Sequence, residues 1–254
     1  MVPFGFVETD KRRRPLSRRY SVAVAVALFL AWLPLPAATA AVLSSECRVP
    51  DEMLSLSAPL PTMTAAVAQE RALKILVLGP ALAGSGNHQR GRSRLQKELE
   101  LRLAGVKVEI LDERRGSALV QDDFARIRHE VIRNDPDLVV WQVGTSDAVA
   151  GVDPEVFAVA LARAARWIKE QRVDLVLMDP VFIPFVDHEK VYLQIVDRID
   201  QIASTEKVGL FRRYALTGHL ESERQKAQGD GTPGERRACT PQLLAEALVL
   251  SLGR

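Results

Sequence analysis

Alternation between short apolar runs and amphipathic helical segments constrains the fold of this chain more than any other feature. The runs at 74–78 and 138–143 are apolar almost throughout, which is typical of strands buried on both faces of a parallel sheet. Between them, the segment Gln121–Asn134 places Phe124, Ile127 and Val131 on one helix face. Repetition of this order predicts a doubly wound α/β domain, with helices on both faces of a parallel sheet of about five strands.

The same patterns give approximate bounds for each element. The predicted strands are Lys74–Leu78, Val106–Leu111, Leu138–Val143, Leu175–Met178 and Gly209–Arg212. The predicted helices are Ser93–Leu103, Gln121–Asn134, Glu155–Gln171, Lys190–Ser204 and Pro241–Leu252. Ligands of doubly wound sheets bind where the strands end. The candidate functional loops are therefore 79–92, 112–120, 144–154, 179–189 and 213–238.

Residues 1–40 have the features of a secretory signal peptide. Basic residues precede the apolar stretch Val22–Leu33, and Ala38-Thr39-Ala40 forms a small-residue cleavage pattern. The apolar stretch is short for a membrane span of about 20 residues. We therefore expect an exported protein, periplasmic or extracellular, that contacts the membrane only through this segment if it stays uncleaved as an anchor.

The rest of the chain is expected to form an extended lead-in at 41–70, which is rich in proline, and one domain at 71–254. The full chain has a formal charge of +2, and its basic excess lies in the first 40 residues, so the remainder is close to neutral. This balance gives no electrostatic case for nucleic acid as a partner. A small molecule or a glycan is the predicted ligand.

Cys47 and Cys239 both follow the predicted cleavage site. An exported chain enters an oxidising compartment, where thiols tend to pair. We favour a disulfide between the two residues, which would close a long loop. Two free buried thiols are the other interpretation.

Several strings resemble the SGNH, or GDSL-type, hydrolases. Gly144-Thr145-Ser146-Asp147 follows a central apolar run, as the family's Gly-x-Asn-Asp block does, and Asp230-Gly231-Thr232-Pro233 stands where the family has Asp-x-x-His. Other strings resemble exported proteobacterial members: Cys47–Pro50, Trp141–Thr145, Val176–Asp179 and Phe211–Leu216. The resemblance covers roughly residues 47–252. It implies a flavodoxin-like, three-layer α/β/α fold.

The resemblance also implies a catalytic serine, histidine and aspartate, with donors for an oxyanion. The nucleophile position holds Ala81 and the histidine position holds Pro233, while Asp230 stands where the orienting aspartate would be. Ser146 replaces the oxyanion asparagine, and Gly116 lies within one position of the glycine of the second block. The positions for the nucleophile and the base are therefore altered together.

Two residues are candidates for relocated catalytic groups. Ser85 lies between two glycines, six residues beyond the first predicted strand, on a loop rather than on a tight strand-to-helix turn. His219, expected in the loop 213–238, is the candidate base. No paired ligand spacing indicates a metal site, and no cofactor is expected.

Two functional classes follow from these residues. The favoured one is an exported SGNH hydrolase-like protein, catalytically impaired or non-catalytic, that binds an envelope glycan or an acylated ligand. The alternative is an active serine esterase that hydrolyses acyl or acetyl esters with relocated catalytic residues.

Overall fold

The chain forms a five-stranded sheet with helices on both faces, as predicted. The computed structural model describes residues 43–79, 93–113, 119–184, 189–226 and 233–253, without the side chains of residues 112–113 and 233–238. All of these residues belong to the unit Ala40–Arg254.

All neighbouring strands are parallel, in the order β2-β1-β3-β4-β5. The strands are β1 (Leu73–Leu78), β2 (Val108–Glu113), β3 (Leu138–Gln142), β4 (Asp174–Met178) and β5 (Gly209–Phe211). The α-helices in the described ranges are α1 (Pro61–Ala68), α2 (Arg94–Arg102), α3 (Val120–Asn134), α4 (Thr145–Val149), α5 (Pro154–Glu170), α6 (Glu189–Glu206), α7 (Arg213–Lys226) and α8 (Pro233–Leu250). The strand order reverses between β1 and β3, which makes their carboxyl ends the topological switch point.

Side chains alternate between two cores along each strand. In β1, Ile75 and Val77 face one core, and Leu76 and Leu78 face the other. The first core also contains residues of α1, α2 and α8, and the second contains residues of α3, α5 and α6. Burial on both faces explains why the strands are apolar almost throughout their length. Each fully buried leucine contributes about 1.5–3 kcal/mol to the free energy of unfolding.

The segment before β1 differs from the predicted extended lead-in. It contains two short 3-10 helices, Ser45–Cys47 and Asp51–Leu54, followed by α1. Pro61 lies in the first turn of α1, where a backbone N–H has no intrahelical partner to lose. The Met63 N–H donates to the carboxylate of Asp174 at 2.8 Å. This acceptor lies 111 residues away, so the local sequence pattern does not contain it.

The prediction of a loop at 213–238 is also wrong over the described parts of that range, 213–226 and 233–238, which are helical. Helix α7 begins directly after β5, and α8 begins at Pro233, with Pro241 inside the helix rather than at its start. Polar residues surround most of α7, so its sequence lacks the wide apolar stripe that indicates a packed helix. Ion pairs three residues apart, Arg224–Glu221 and Lys226–Glu223, stabilise it locally.

A disulfide joins Cys47, at the end of the first 3-10 helix, to Cys239 in α8. Close to it, the backbone N–H and hydroxyl of Ser44 both donate to the Gln242 side-chain oxygen. The first described turn is therefore held against the last helix. Within the described ranges, no helix is both long and apolar enough to cross a bilayer.

Candidate functional site

Two glycines form the backbone turns at the switch point. Gly79 follows β1 with φ +113°, and a Cβ atom there would lie 2.8 Å from the Gln142 Cβ. Gly144 follows β3 with φ +87°, and a Cβ atom there would lie 2.7 Å from the Ile195 Cγ2. Because a side chain at either position would be strained and would clash, glycine is required at both.

Ser146 lies in the first turn of α4, directly after the Gly144 turn. Its side chain is half-buried, at the carboxyl end of β3. The structure thus places the predicted oxyanion donor at the switch point. Helix α4 is only five residues long.

Asp147, the next residue, has a structural role at this edge. Its side chain is 2% exposed, and one carboxylate oxygen accepts the Val120 N–H at the start of α3, at 3.1 Å. Burial raises the pKa of Asp147, although backbone hydrogen bonds lower it. The residue ties the turn after β3 to the helix that follows β2, and sequence reasoning missed this role.

A cluster of buried polar groups lies at the ends of β4 and β5. Asp179 directly follows β4, is 4% exposed, and accepts the Tyr214 N–H at 2.8 Å. It thereby caps the N-terminus of α7. Burial raises the pKa of Asp179 to about 7, although the bond from Tyr214 and the charge of Arg213 lower it.

Arg213 and Tyr192 complete this cluster, which we call the Asp179 cluster (Asp179, Tyr192 and Arg213). The Arg213 side chain is almost entirely buried, and burial lowers its pKa to about 10, against the attraction of Asp179 and Tyr192. The Tyr192 hydroxyl donates to the Val181 carbonyl at 2.5 Å, and burial raises the pKa of Tyr192 to about 12. At neutral pH, Arg213 is therefore charged and Tyr192 is neutral.

Contacts between α7 and the segment after β4 hold the cluster in place. The Thr217 hydroxyl donates to the Arg213 carbonyl at 2.7 Å and accepts the Phe182 N–H at 2.9 Å. The Phe182 and Tyr214 rings meet edge to face, with centroids 5.5 Å apart. These contacts fix the start of α7 relative to β4.

A groove of about 310 Å³ opens on the β5 side of Asp179. Its lining includes Asp197 and Asp200 on α6, together with Arg212 and Tyr214. Arg212 pairs with Asp200 at 2.8 Å. The groove is acidic, and its lining comes from α6, β5 and α7 rather than from the switch point between β1 and β3.

The structure corrects the placement of His219. The residue lies in α7 rather than in a loop at the strand ends, about 9 Å along the helix axis from Arg213. It neighbours the exposed Glu223, whose pKa is lowered chiefly by Lys226 and slightly by His219. Among the described residues, the other histidine, His129, contacts Glu130 at 2.9 Å. Neither ring bonds to a hydroxyl group in the described part of the chain.

Several predicted site residues lie outside the described residues: Ala81, Ser85, Gly116 and Asp230. Pro233 is the first residue of α8, and its side chain is not described. In the ranges that are described, no group of three or more His, Cys, Asp or Glu side chains is arranged to hold a metal ion.

Sequence reasoning did not identify the Asp179 cluster as a site. Its members come from β4, α6 and α7, so no single motif contains them. One signal was present, because Asp179 and Arg213 each stand within two residues of the end of a buried apolar run, at the ligand-binding edge of the sheet.

The parallel sheet in this order, with helices on both faces, is a flavodoxin-like three-layer α/β fold, which is the fold of the SGNH, or GDSL-type, hydrolases. The chain belongs to the Non-GDSL lipase-like family, which it matches over residues 46–253.

Solved structures agree with this class. TesA is 20% identical, with a TM-score of 0.52 over 68% of this chain and 94% of that chain. A catalytic mutant of Axe2, an acetylxylan esterase from Geobacillus stearothermophilus, is 17% identical, with a TM-score of 0.55 over 72% and 94%. The acetyl xylan esterase AlAXEase is 16% identical, with a TM-score of 0.56 over 69% and 98%. At these identities the similarity shows the fold alone. No curated protein sequence matches this chain.

Proposed function

We propose that this protein is an exported SGNH-type binding protein, which binds an envelope glycan or an acylated ligand at the carboxyl edge of its sheet and has lost most or all esterase activity. One observation carries the proposal: the positions that correspond to the family's nucleophile and base hold Ala81 and Pro233. Neither side chain can attack an ester or accept a proton. Loss of one member of such a triad lowers the rate by several orders of magnitude, and here two positions differ.

The backbone at the switch point supports binding as the retained function. The turns at Gly79 and Gly144 follow β1 and β3 at this edge, and each requires glycine. Ser146 keeps one possible hydrogen-bond donor beside them. A chain that has the turns at the strand ends without the reacting groups is suited to hold a ligand rather than to cleave it.

The class of ligand and the compartment are parts of the same proposal. Two of the structures with this fold are acetyl xylan esterases, so an acetylated glycan is the first ligand to test. The disulfide between Cys47 and Cys239 supports export, because disulfides persist in oxidising compartments.

A fluorophosphonate probe, which reacts with activated serines, tests the proposal. The purified protein is treated beside an active esterase of the same fold, and labelled residues are located by peptide mass spectrometry. We expect no labelled serine in this protein, and binding of an acetylated xylooligosaccharide in calorimetry without release of acetate.

Two variants, Ser85→Ala and His219→Ala, test the alternative function, an active esterase. Ser204→Ala, at an exposed serine, is the matched control. Labelling that disappears in Ser85→Ala, falls in His219→Ala and persists in Ser204→Ala would overturn the proposal. The protein would then be an active serine esterase with relocated catalytic residues.

A further inference from the structure

The groove on the β5 side of Asp179 has the size and the position of a binding site for a small ligand. Its volume of about 310 Å³ is at the small end of the range for ligand pockets, which is about 300–1,000 Å³. It lies beside the ends of β4 and β5, at the edge of the sheet where α/β proteins bind their ligands. Gly144 and Ser146 are not among its lining residues, so the groove is distinct from the switch point.

One oxygen of the Asp179 carboxylate is available to a ligand in this groove. The Tyr214 N–H occupies Oδ1, and the Arg213 backbone also favours the ionised form of the group. Oδ2 accepts no hydrogen bond from the described residues and is not enclosed, although the residue is only 4% exposed. Because Asp179 lines the groove, this oxygen is an acceptor that a ligand in the groove can satisfy.

Helix α6 contributes the main charge of the lining. Asp197 and Asp200 are three residues apart on the helix face that lines the groove, and both are exposed. Asp200 pairs with Arg212, whereas Asp197 makes no ion pair or hydrogen bond within the described ranges. Arg213 attracts Asp179 from outside the lining. Asp197 therefore carries the uncompensated charge, which favours a ligand with one positive charge.

The other lining residues are suited to a sugar ring rather than to a bare amine. Val196, Leu210 and Ala215 add apolar surface, and Tyr214 adds an aromatic ring. The Tyr214 hydroxyl has no hydrogen-bond partner in the described part of the chain. Burial raises the pKa of Tyr214, so its hydroxyl is neutral at pH 7 and can both donate and accept. The lining thus offers apolar contact for a ring face and polar groups for ring hydroxyls.

We propose that this groove binds an amino sugar, whose ammonium group pairs with Asp197 while a ring hydroxyl donates to Oδ2 of Asp179 and the ring contacts Tyr214. The inference rests on the proposed function and specifies the ligand as a glycan that contains hexosamines with free amino groups. An N-acetyl group removes the positive charge, so an N-acetylated hexosamine loses the contact with Asp197.

Calorimetry with three β-1,4-linked tetrasaccharides tests the site, because they differ only in the group on C2. Chitosan tetraose has an amine there, chitin tetraose an N-acetyl group, and cellotetraose a hydroxyl. We expect chitosan tetraose to bind at least tenfold more tightly than the other two, and its affinity to fall as salt is added. Equal affinity for the three sugars would overturn the proposal.

Spermine, which has four ammonium groups and no sugar ring, separates sugar recognition from charge attraction. We expect it to bind at least tenfold more weakly than chitosan tetraose, because it makes no ring contact with Tyr214. If spermine binds as tightly as chitosan tetraose, the groove recognises ammonium groups alone and the assignment to an amino sugar is wrong.

Two variants locate the contact, and a third is the control. Asp197→Asn keeps the shape of an exposed side chain but removes its charge, and we expect at least a fivefold loss of affinity for chitosan tetraose. Tyr214→Leu keeps the backbone N–H that bonds to Asp179 but loses the ring, and should weaken binding at least threefold. Asp122→Asn, at an exposed aspartate of α3 outside the groove, should leave affinity unchanged.

Unchanged affinity in either groove variant rejects the site, and so does an equal loss in Asp122→Asn. If Tyr214→Leu does not fold, Asp197→Asn decides the test, since its side chain has no described partner to lose.

The two proposals fail in different ways. Fluorophosphonate labelling of a serine rejects the binding-protein function, whatever the sugars do. An unlabelled protein that binds an acetylated xylooligosaccharide, but does not prefer chitosan tetraose to cellotetraose, retains that function and rejects the amino-sugar site.

Discussion

At Gly144 the backbone and its neighbours both exclude a side chain. The residue lies in the left-handed region, and a Cβ atom would also lie within 2.9 Å of the Ile199 Cδ1. The isoleucines of α6 close to it belong to the second core, where displacement of packed atoms is costly. The turn after β3 therefore holds Ser146 at its position through packing as well as through backbone geometry.

Gly144→Ala is expected to destabilise the protein by about 2–4 kcal/mol, because left-handed strain of about 1 kcal/mol adds to overpacking against α6. Gly151→Ala is the matched control: φ is also positive, at +67°, but nothing lies within 4 Å of the added Cβ. Urea unfolding of both variants separates the two effects. Equal losses of stability would show that packing against α6 contributes nothing.

At the scale of elements, Asp179 links β4 to α7. Its carboxylate accepts the Tyr214 N–H, and the Phe182–Thr217 hydrogen bond joins the same two segments. Helix α7 thus depends on a cap from a residue 35 positions earlier in the chain. Such a cap contributes about 0.5–2 kcal/mol.

The protonation of Asp179 should make stability depend on pH. An aspartate in the unfolded chain has a pKa of about 4, whereas burial raises the pKa of Asp179 to about 7 in the folded protein. Between these values the folded state binds more protons than the unfolded state. The contribution of this residue is therefore fully present below about pH 4 and is lost as the pH rises through 7.

Asp179→Asn, which cannot ionise but still accepts the Tyr214 N–H, should remove this dependence. We expect its free energy of unfolding in urea to rise relative to the parent protein between pH 5 and pH 8. Burial also raises the pKa of Asp147 and Asp174, so only the difference between the two proteins is informative. Parallel curves over this range would contradict the prediction.

The strands could be predicted from sequence because each is a run of apolar residues that needs no distant partner to be recognised. Helix α7 could not, because its cap comes from β4 and its surface is polar. Helix α1 depends in the same way on Asp174, at the start of β4. Elements defined by local periodicity were found, whereas those stabilised by long-range hydrogen bonds were missed.

The residues of the candidate site show the same difference between local and long-range determinants. The position of Ser146 follows from a local motif at a strand end, which the sequence contains. The Asp179 cluster depends on three elements that meet only in the folded sheet, and the location of His219 depends on α7. Sequence could therefore identify the ligand-binding edge but not the buried charges there.

At the scale of the whole molecule, the disulfide and the Ser44–Gln242 hydrogen bonds join the first described turn to α8. Cys47 and Cys239 are 192 residues apart, so the bond restricts nearly the whole unfolded domain. Both cysteines belong to the first core, so the disulfide and this core stabilise the same layer, the one that contains α8.

The double variant Cys47→Ser, Cys239→Ser is expected to lose roughly 2–5 kcal/mol of stability, since its unfolded chain regains the entropy of the opened loop. Thermal and urea unfolding of this variant, compared with the parent protein before and after reduction, give the measurement. If reduction leaves the unfolding midpoint of the parent protein unchanged, the cross-link does not stabilise the domain.

The position of α8 also fixes when during synthesis the domain can be completed. Leu243, Leu244 and Leu248 belong to the first core, together with Ile75 and Val77 of β1, which are made much earlier. At a synthesis rate of roughly 5–20 residues per second, β1 waits about ten seconds or longer for these partners. During that interval α1 and α2 can already pack on this face of the sheet, but the part that α8 covers stays exposed on the nascent chain.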